Sequence, residues 1–311
     1  WTNPGTNYGE SINTWGGRAE IASPRNHYPD GARTRVIEDI RTKIRTGNAS
    51  CPVIRVVGLS GLGKTRSVYE ALNTDEFKDR VLYTEASRLL QSPLFGLLQS
   101  SENLHAIIVA DECDLEQHRR LFSAFSAQSN RLALVTISNA FGAVSSQTAL
   151  YTLEGLEQEK IKELLTTEFN LPRDIADRLA QFSDGYPGIA IILAQSYASS
   201  GTSQGEFIKL SDTGLINRLI TGDSDVSAGN LTKKVLTGIA LFSKVGYKGE
   251  PAKEMKWLCG YIGVTEDDFK EVVEAQRARG LIEGEFYVSV RPFMLRVNLF
   301  TEWWELKNFD Q

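Results

Sequence analysis

Residues 53–72 read VIRVVGLSGLGKTRSVYEAL. An apolar β-branched run, a glycine-dense loop and a helix-like segment follow one another without a break. The middle eight residues, GLSGLGKT from Gly58 to Thr65, match GxxxxGK[ST] at every fixed position. The pattern has a mechanical reason. Glycine lets the backbone curl so that successive N–H groups point inward at a phosphate. The helix that starts at the end of the loop presents its positive end to the same anion. Lys64 is placed to reach the β- and γ-phosphates, and the Thr65 hydroxyl to ligate magnesium. Gly58, Ser60, Gly61, Leu62, Gly63, Lys64, Thr65 and Arg66 are therefore the candidate nucleotide-binding residues.

A second segment supports this reading. AIIVADECD, residues 106–114, is an apolar strand ending in two carboxylates. Alone, such a pair reads as solvated loop acids. Beside a phosphate loop, Asp111 is suited to hold the magnesium hydration shell and Glu112 to act as general base on the attacking water. Asp114 reads as a helix cap and His118 as a surface residue. Cys113 and His118 lack the further ligands that a metal site needs. The run LALVTI, residues 132–137, leads into Ser138 and Asn139. There Thr136, Ser138 and Asn139 either sense a γ-phosphate or cap the strand end.

Strands expected at 53–57, 81–83, 106–110 and 132–137, with a possible fifth at 150–153, alternate with helical segments. That alternation predicts an α/β fold, a parallel sheet with helices on both faces. Residues 1–30 are rich in Gly, Asn, Ser and Pro and read as a loop-like leader; 31–153 form the core. Residues 154–225 carry three amphipathic helical patterns and read as a small helical domain. Residues 226–311 give three helices and a hairpin turning at Gly284, the order of a winged helix. Thr265 can cap the third of these helices, and Gly280 can end it.

The chain has 311 residues and a net charge of −5, which offers no global attraction to nucleic acid. Three scattered cysteines form no CxxC pair, so reduced thiols and a cytoplasmic setting are expected. The longest apolar run, 189–194, is too short to span a bilayer. No signal peptide opens the chain. Its first residue is Trp1, which suggests a piece of a longer protein.

GLSGLGKT, IIVADEC and GYPGIA (residues 185–190) together resemble the STAND class of P-loop NTPases, signal-transducing relatives of the AAA+ ATPases. The resemblance runs from about residue 30 to 300, and the Walker-type segments are its most specific part. It implies an ATPase core, a helical lid whose GxP proline, here Pro187, packs on adenine, and a winged helix. A proline that opens a helix after a glycine turn is the blander reading of Pro187. Relatives carry a Met-His-Asp triplet after the wing, and here Val290, Arg291 and Pro292 stand in its place. Arg291 is then either a guanidinium that grips a phosphate bidentately or a surface residue at a strand end. No arginine follows the TIS strand end, where many relatives have one. The leader motif has only a loose echo in DGARTR, which makes Arg33 an adenine-side candidate.

The resemblance implies ATP/ADP with magnesium, slow hydrolysis, and self-association in the ATP-bound form. It also implies a protein trigger, with a phage protein as one candidate, acting through flanking regions. Within the class, GYPGIA and the DEC strand end look like the bacterial antiphage sensors. A STAND-type transcription regulator or another AAA+-like ATPase is the alternative. A small-molecule kinase fits poorly, because no acceptor-site motif accompanies the long C-terminal extension. The helix expected at 265–279 carries five acidic residues against three basic ones, so nucleic-acid binding by it is not expected.

Overall fold

A computed structural model describes residues 10–17, 26–46, 51–128, 131–139, 141–199, 220 and 226–308. The chain divides into two compact units, Trp1–Gly58 with Leu62–Glu154, and Leu59–Gly61 with Gly155–Gln311.

The first unit is built on a six-stranded sheet. Its strands are β1 (Glu10–Ser11), β2 (Val53–Val57), β3 (Val81–Glu85), β4 (Ala106–Asp111), β5 (Leu132–Ser138) and β6 (Thr148–Thr152). The order across the sheet is β1-β3-β4-β5-β2-β6. The β3–β4, β4–β5, β5–β2 and β2–β6 pairs are parallel, with Arg55 opposite Thr136 between β2 and β5. Every residue of β2 and β5 is buried, as expected of central strands covered on both faces. One face packs Ile54, Val56, Val135, Ile107 and Val109 under α2 (Gly31–Arg45) and α3 (Lys64–Leu72). The other packs Leu132, Leu134, Ile108 and Ala110 against α4 (Ala86–Gln91), α5 (Pro93–Ser100) and α6 (Leu115–Phe125). The chain leaves β2 toward β3 on one side and leaves its neighbour β5 toward β6 on the other, so two adjacent parallel strands are followed by crossovers in opposite directions. That opens the crevice in which such sheets bind ligands.

The loop-like reading of the leader needs correction. Residues 10–17 are folded: β1 pairs antiparallel with β3, and α1 (Ile12–Gly16) follows at once. Trp15 is fully buried and stacks on Tyr83. A two-residue strand and a one-turn helix are too short to show any periodicity, and the flanking Gly and Asn mask them.

The second unit begins with α7 (Gln158–Glu168), α8 (Arg173–Ser183) and α9 (Pro187–Ser199), which pack on one another. The expected boundary near residue 225 falls in 221–225, outside the described residues. Beyond it, α10 (Val226–Ala240) packs against α11 (Ala252–Ile262), α12 (Glu266–Ala278) and α13 (Phe293–Asn308). Strands β7 (Val245–Gly246), β8 (Ile282–Glu283) and β9 (Tyr287–Val290) form an antiparallel sheet in the order β7-β9-β8. Thr265 caps α12 by accepting from the Asp268 N–H, and Gly280 and Gly284 take the left-handed turns expected of them. Among the described residues no helix is long and apolar enough to cross a membrane.

Candidate nucleotide-binding site

The loop leaves β2 at Gly58, whose φ is 154° and where a Cβ would lie 2.7 Å from the Leu153 carbonyl oxygen. Only glycine fits there. Gly63 has left-handed dihedrals and is the N-cap of α3, with no side chain capping the helix. The first N–H groups of α3 are thus presented by a residue with no side chain of its own to compete for them, as an anion site requires.

Lys64, 7% exposed, donates from Nζ to Asn139 Oδ1 at 2.8 Å. Thr65 Oγ1 donates to Asp111 Oδ2 at 3.1 Å, and the Tyr83 hydroxyl donates to the same oxygen at 2.8 Å. The loop lysine, the loop threonine, the β4 carboxylate and the β5 amide thus meet at the carboxyl edge of the sheet. One hydroxyl and one carboxylate are hard oxygen donors, which fits magnesium that keeps several waters and shares phosphate oxygens. Among the described residues no group of three His, Cys, Asp or Glu side chains gathers to hold a metal.

Glu112 is exposed and left-handed, with φ of 50°. A non-glycine residue there stores roughly 1–3 kcal/mol of strain and persists only where neighbours over-determine it. Three contacts do so. The Glu112 N–H donates to Asp111 Oδ1 at 2.8 Å, and the Cys113 N–H to the Ile137 carbonyl at 2.9 Å. The third is Arg55 NH1, donating to the Cys113 carbonyl at 3.1 Å. Asp114 then starts α6 with a reciprocal capping box to Gln117, as expected.

Two sequence readings change here. Thr136 does not face the phosphate loop; it is fully buried on the α6 side of the sheet. His118 is not on the surface but 1% exposed, with Nδ1 2.9 Å from Thr136 Oγ1 and Nε2 3.4 Å from Thr148 Oγ1. Burial, then the Arg55 and Arg119 cations, lower its pKa to about 4. Ser138 is also buried, and Asn139 reaches Lys64.

Arg66 turns along its own helix and pairs with Glu70 at 2.7 Å. Arg33 is 4% exposed and braces the loop from below. Its NH2 donates to the Leu62 and Glu154 carbonyls, both at 2.9 Å, and NH1 pairs with Asp30. That guanidinium supports the backbone on either side of it and pairs with the carboxylate that caps its own helix. In the second unit Pro187 opens α9, and the Gly188 N–H donates to the Gly61 carbonyl at 2.9 Å. Arg291 pairs with Asp184 at 3.1 Å and Glu283 at 2.8 Å, both within the second unit. Tyr83 and Arg55 escaped the sequence reading. The signal for Arg55 is a lone charge inside VIRVV, a run otherwise apolar on both faces.

No protein-family model and no curated protein matches the sequence. Among solved structures, a Walker-type ATPase of Pyrococcus abyssi superposes with a TM-score of 0.55 at 13% identity, over 89% of this chain and 97% of its own. Cdc6p of Pyrobaculum aerophilum gives 0.44 at 15%, over 90% and 97%. A STAND protein with a tetratricopeptide repeat sensor from Pyrococcus horikoshii gives 0.41 at 16%, over 90% of this chain and 43% of that one. At such identities the first of these speaks to architecture. The chain shares its fold with that Walker-type ATPase.

Proposed function

We propose that this chain is the nucleotide-binding module of a signalling switch. It binds ATP or ADP with magnesium and hydrolyses ATP slowly, and the bound nucleotide governs self-association of a larger sensor–effector protein. Bacterial antiphage defence is the setting that the sequence resemblance suggests. The observation that carries the reading is the paired contact of Lys64 with Asn139 and Thr65 with Asp111, beside the left-handed N-cap of α3.

Each residue then has a part. The α3 N–H groups and Lys64 hold the phosphates, and Thr65 and Asp111 hold the metal. Asn139 orients Lys64 and contacts the terminal phosphate. Glu112 takes the proton of the attacking water. The magnesium nucleotide supplies the phosphoanhydride that is cleaved. Residues 226–308 we read as a winged helix, from the succession of three helices around a short strand and a following hairpin. Its third helix, α12, begins with Glu266, Asp267 and Asp268. Lys270 lies near Glu266 and Asp267, and Arg277 pairs with Glu274. A helix so neutralised is poorly suited to phosphates of DNA, and we assign it a regulatory role.

The test is Lys64→Ala, with binding of a fluorescent ATP analogue and far-UV circular dichroism as readouts. Loss of a charged contact of about 1.5–3 kcal/mol lowers affinity roughly 10- to 150-fold, with the fold intact. Unchanged affinity overturns the site. Tight, salt-dependent binding of a labelled duplex by the wild type would instead favour a DNA-binding regulator.

A further inference from the structure

We propose that Arg55 is a positioning residue for ATP hydrolysis, acting through the backbone of the turn that carries Glu112. The inference rests on the reading of Glu112 as the group that activates water. Arg55 lies three residues before the phosphate loop, in the middle of β2, and is 0% exposed. A guanidinium in a sheet interior is expensive to bury and holds its place only through the hydrogen bonds it makes. It reaches past β5 to the far side of the turn after β4, where NH1 meets the Cys113 carbonyl at 3.1 Å. NH1 also lies 3.5 Å from Thr136 Oγ1, which His118 holds from α6 at 2.9 Å.

The consequence is geometric. Cys113 is gripped at both backbone groups, its N–H by the Ile137 carbonyl and its C=O by Arg55. Glu112 is fixed on its other side by Asp111 Oδ1. The left-handed conformation of Glu112 is therefore imposed from both ends. If the Arg55 grip is removed, the turn can relax toward ordinary dihedrals, and the Glu112 carboxylate swings off the line to the γ-phosphate. Displacement of a catalytic group by about 1 Å costs on the order of 100-fold in rate. The phosphate loop itself, whose Leu62 carbonyl is held by Arg33, is untouched.

The experiment measures steady-state ATP hydrolysis of Arg55→Gln and Arg55→Lys, each in the wild-type and the Glu112→Gln background. ADP calorimetry serves as the check on folding and binding. The expected result for Arg55→Gln is a fall in kcat of roughly 10- to 100-fold, with KM and ADP affinity within about threefold. Arg55→Lys, which keeps one donor within reach of one carbonyl, should recover part of the rate. In the Glu112→Gln background neither substitution should change the residual rate further, because both act through one group. Where Arg55→Gln does not fold, Arg55→Lys is read alone against the same two backgrounds. An unchanged kcat, a loss confined to KM, or a full additional loss in the Glu112→Gln background overturns the role of Arg55. Full-rate hydrolysis by Glu112→Gln itself overturns the reading of Glu112 and this inference with it.

Discussion

His118 carries its imidazole between two threonine hydroxyls at 1% exposure, with Arg55 and Arg119 the nearest cations. Its folded pKa of about 4 lies below the unfolded value of 6.5, so the unfolded chain takes up the proton first. Stability contributed by the neutral ring is present above pH 6.5 and is lost as pH falls toward 4. Between pH 7 and pH 5 this single group should remove on the order of 2 kcal/mol. His27, also lowered to about 4 by burial and then by Arg66 and Arg33, should add to the loss. Urea midpoints at the two pH values test it: His118→Gln should lose less stability on acidification than the wild type, whatever its stability at pH 7. Equal losses would mean that the ring is protonated without unfolding. The same residue shows what a linear reading can miss. Next to Arg119 and Arg120 it looks solvated, yet 118, 121 and 125 make one buried stripe of α6. That stripe was available from helical spacing. The direction of Thr136 was not, because β5 is buried on both faces and alternation there distinguishes nothing.

Among the elements, the phosphate loop, the β4 edge and the four central strands were legible because each concentrates its signal: β-branched runs bounded by glycine or by acids. The β1–α1 piece was not, since two strand residues and one turn of helix, with Ile12 and Trp15 buried, carry too little pattern to read. Its stability comes from Trp15, stacked on Tyr83 with centroids 4.5 Å apart and edge-on to Tyr69 at 5.2 Å. The indole Nε1 is buried and finds no hydrogen-bond partner among the described residues. Trp15 is thus held by shape and dispersion alone. Trp15→Ala should cost about 3–5 kcal/mol, the usual range for an emptied aromatic site. Trp15→Phe should cost less than half as much, because it removes an unsatisfied donor along with some area. Chemical denaturation of the three proteins decides this. A negligible loss for the alanine variant would detach residues 10–17 from the cooperative fold and leave β3 as the true edge of the sheet.

At the scale of the whole molecule, the five tryptophans are unevenly placed. Trp257 and Trp304 are 60% and 54% exposed and Trp303 is half-buried, whereas Trp15 is fully buried. Light emitted by the exposed pair should lie to the red, and that from Trp15 to the blue. The Trp15 ring stacks on Tyr83, whose hydroxyl shares Asp111 Oδ2 with Thr65. On the proposed binding mode, magnesium nucleotide drawing on Thr65 and Asp111 would disturb that shared oxygen, and with it the phenol against which the indole lies. If the proposed site is right, Trp15 is an optical gauge of its occupancy. Adding magnesium and ADP should alter the blue-edge fluorescence of the wild type and leave the red edge in place. The change should vanish in Trp15→Phe, and it should shrink in Tyr83→Phe, where the ring remains but its link to the carboxylate is cut. A wild-type spectrum indifferent to nucleotide, under conditions where calorimetry shows binding, would mean that Asp111 keeps its tyrosine partner throughout.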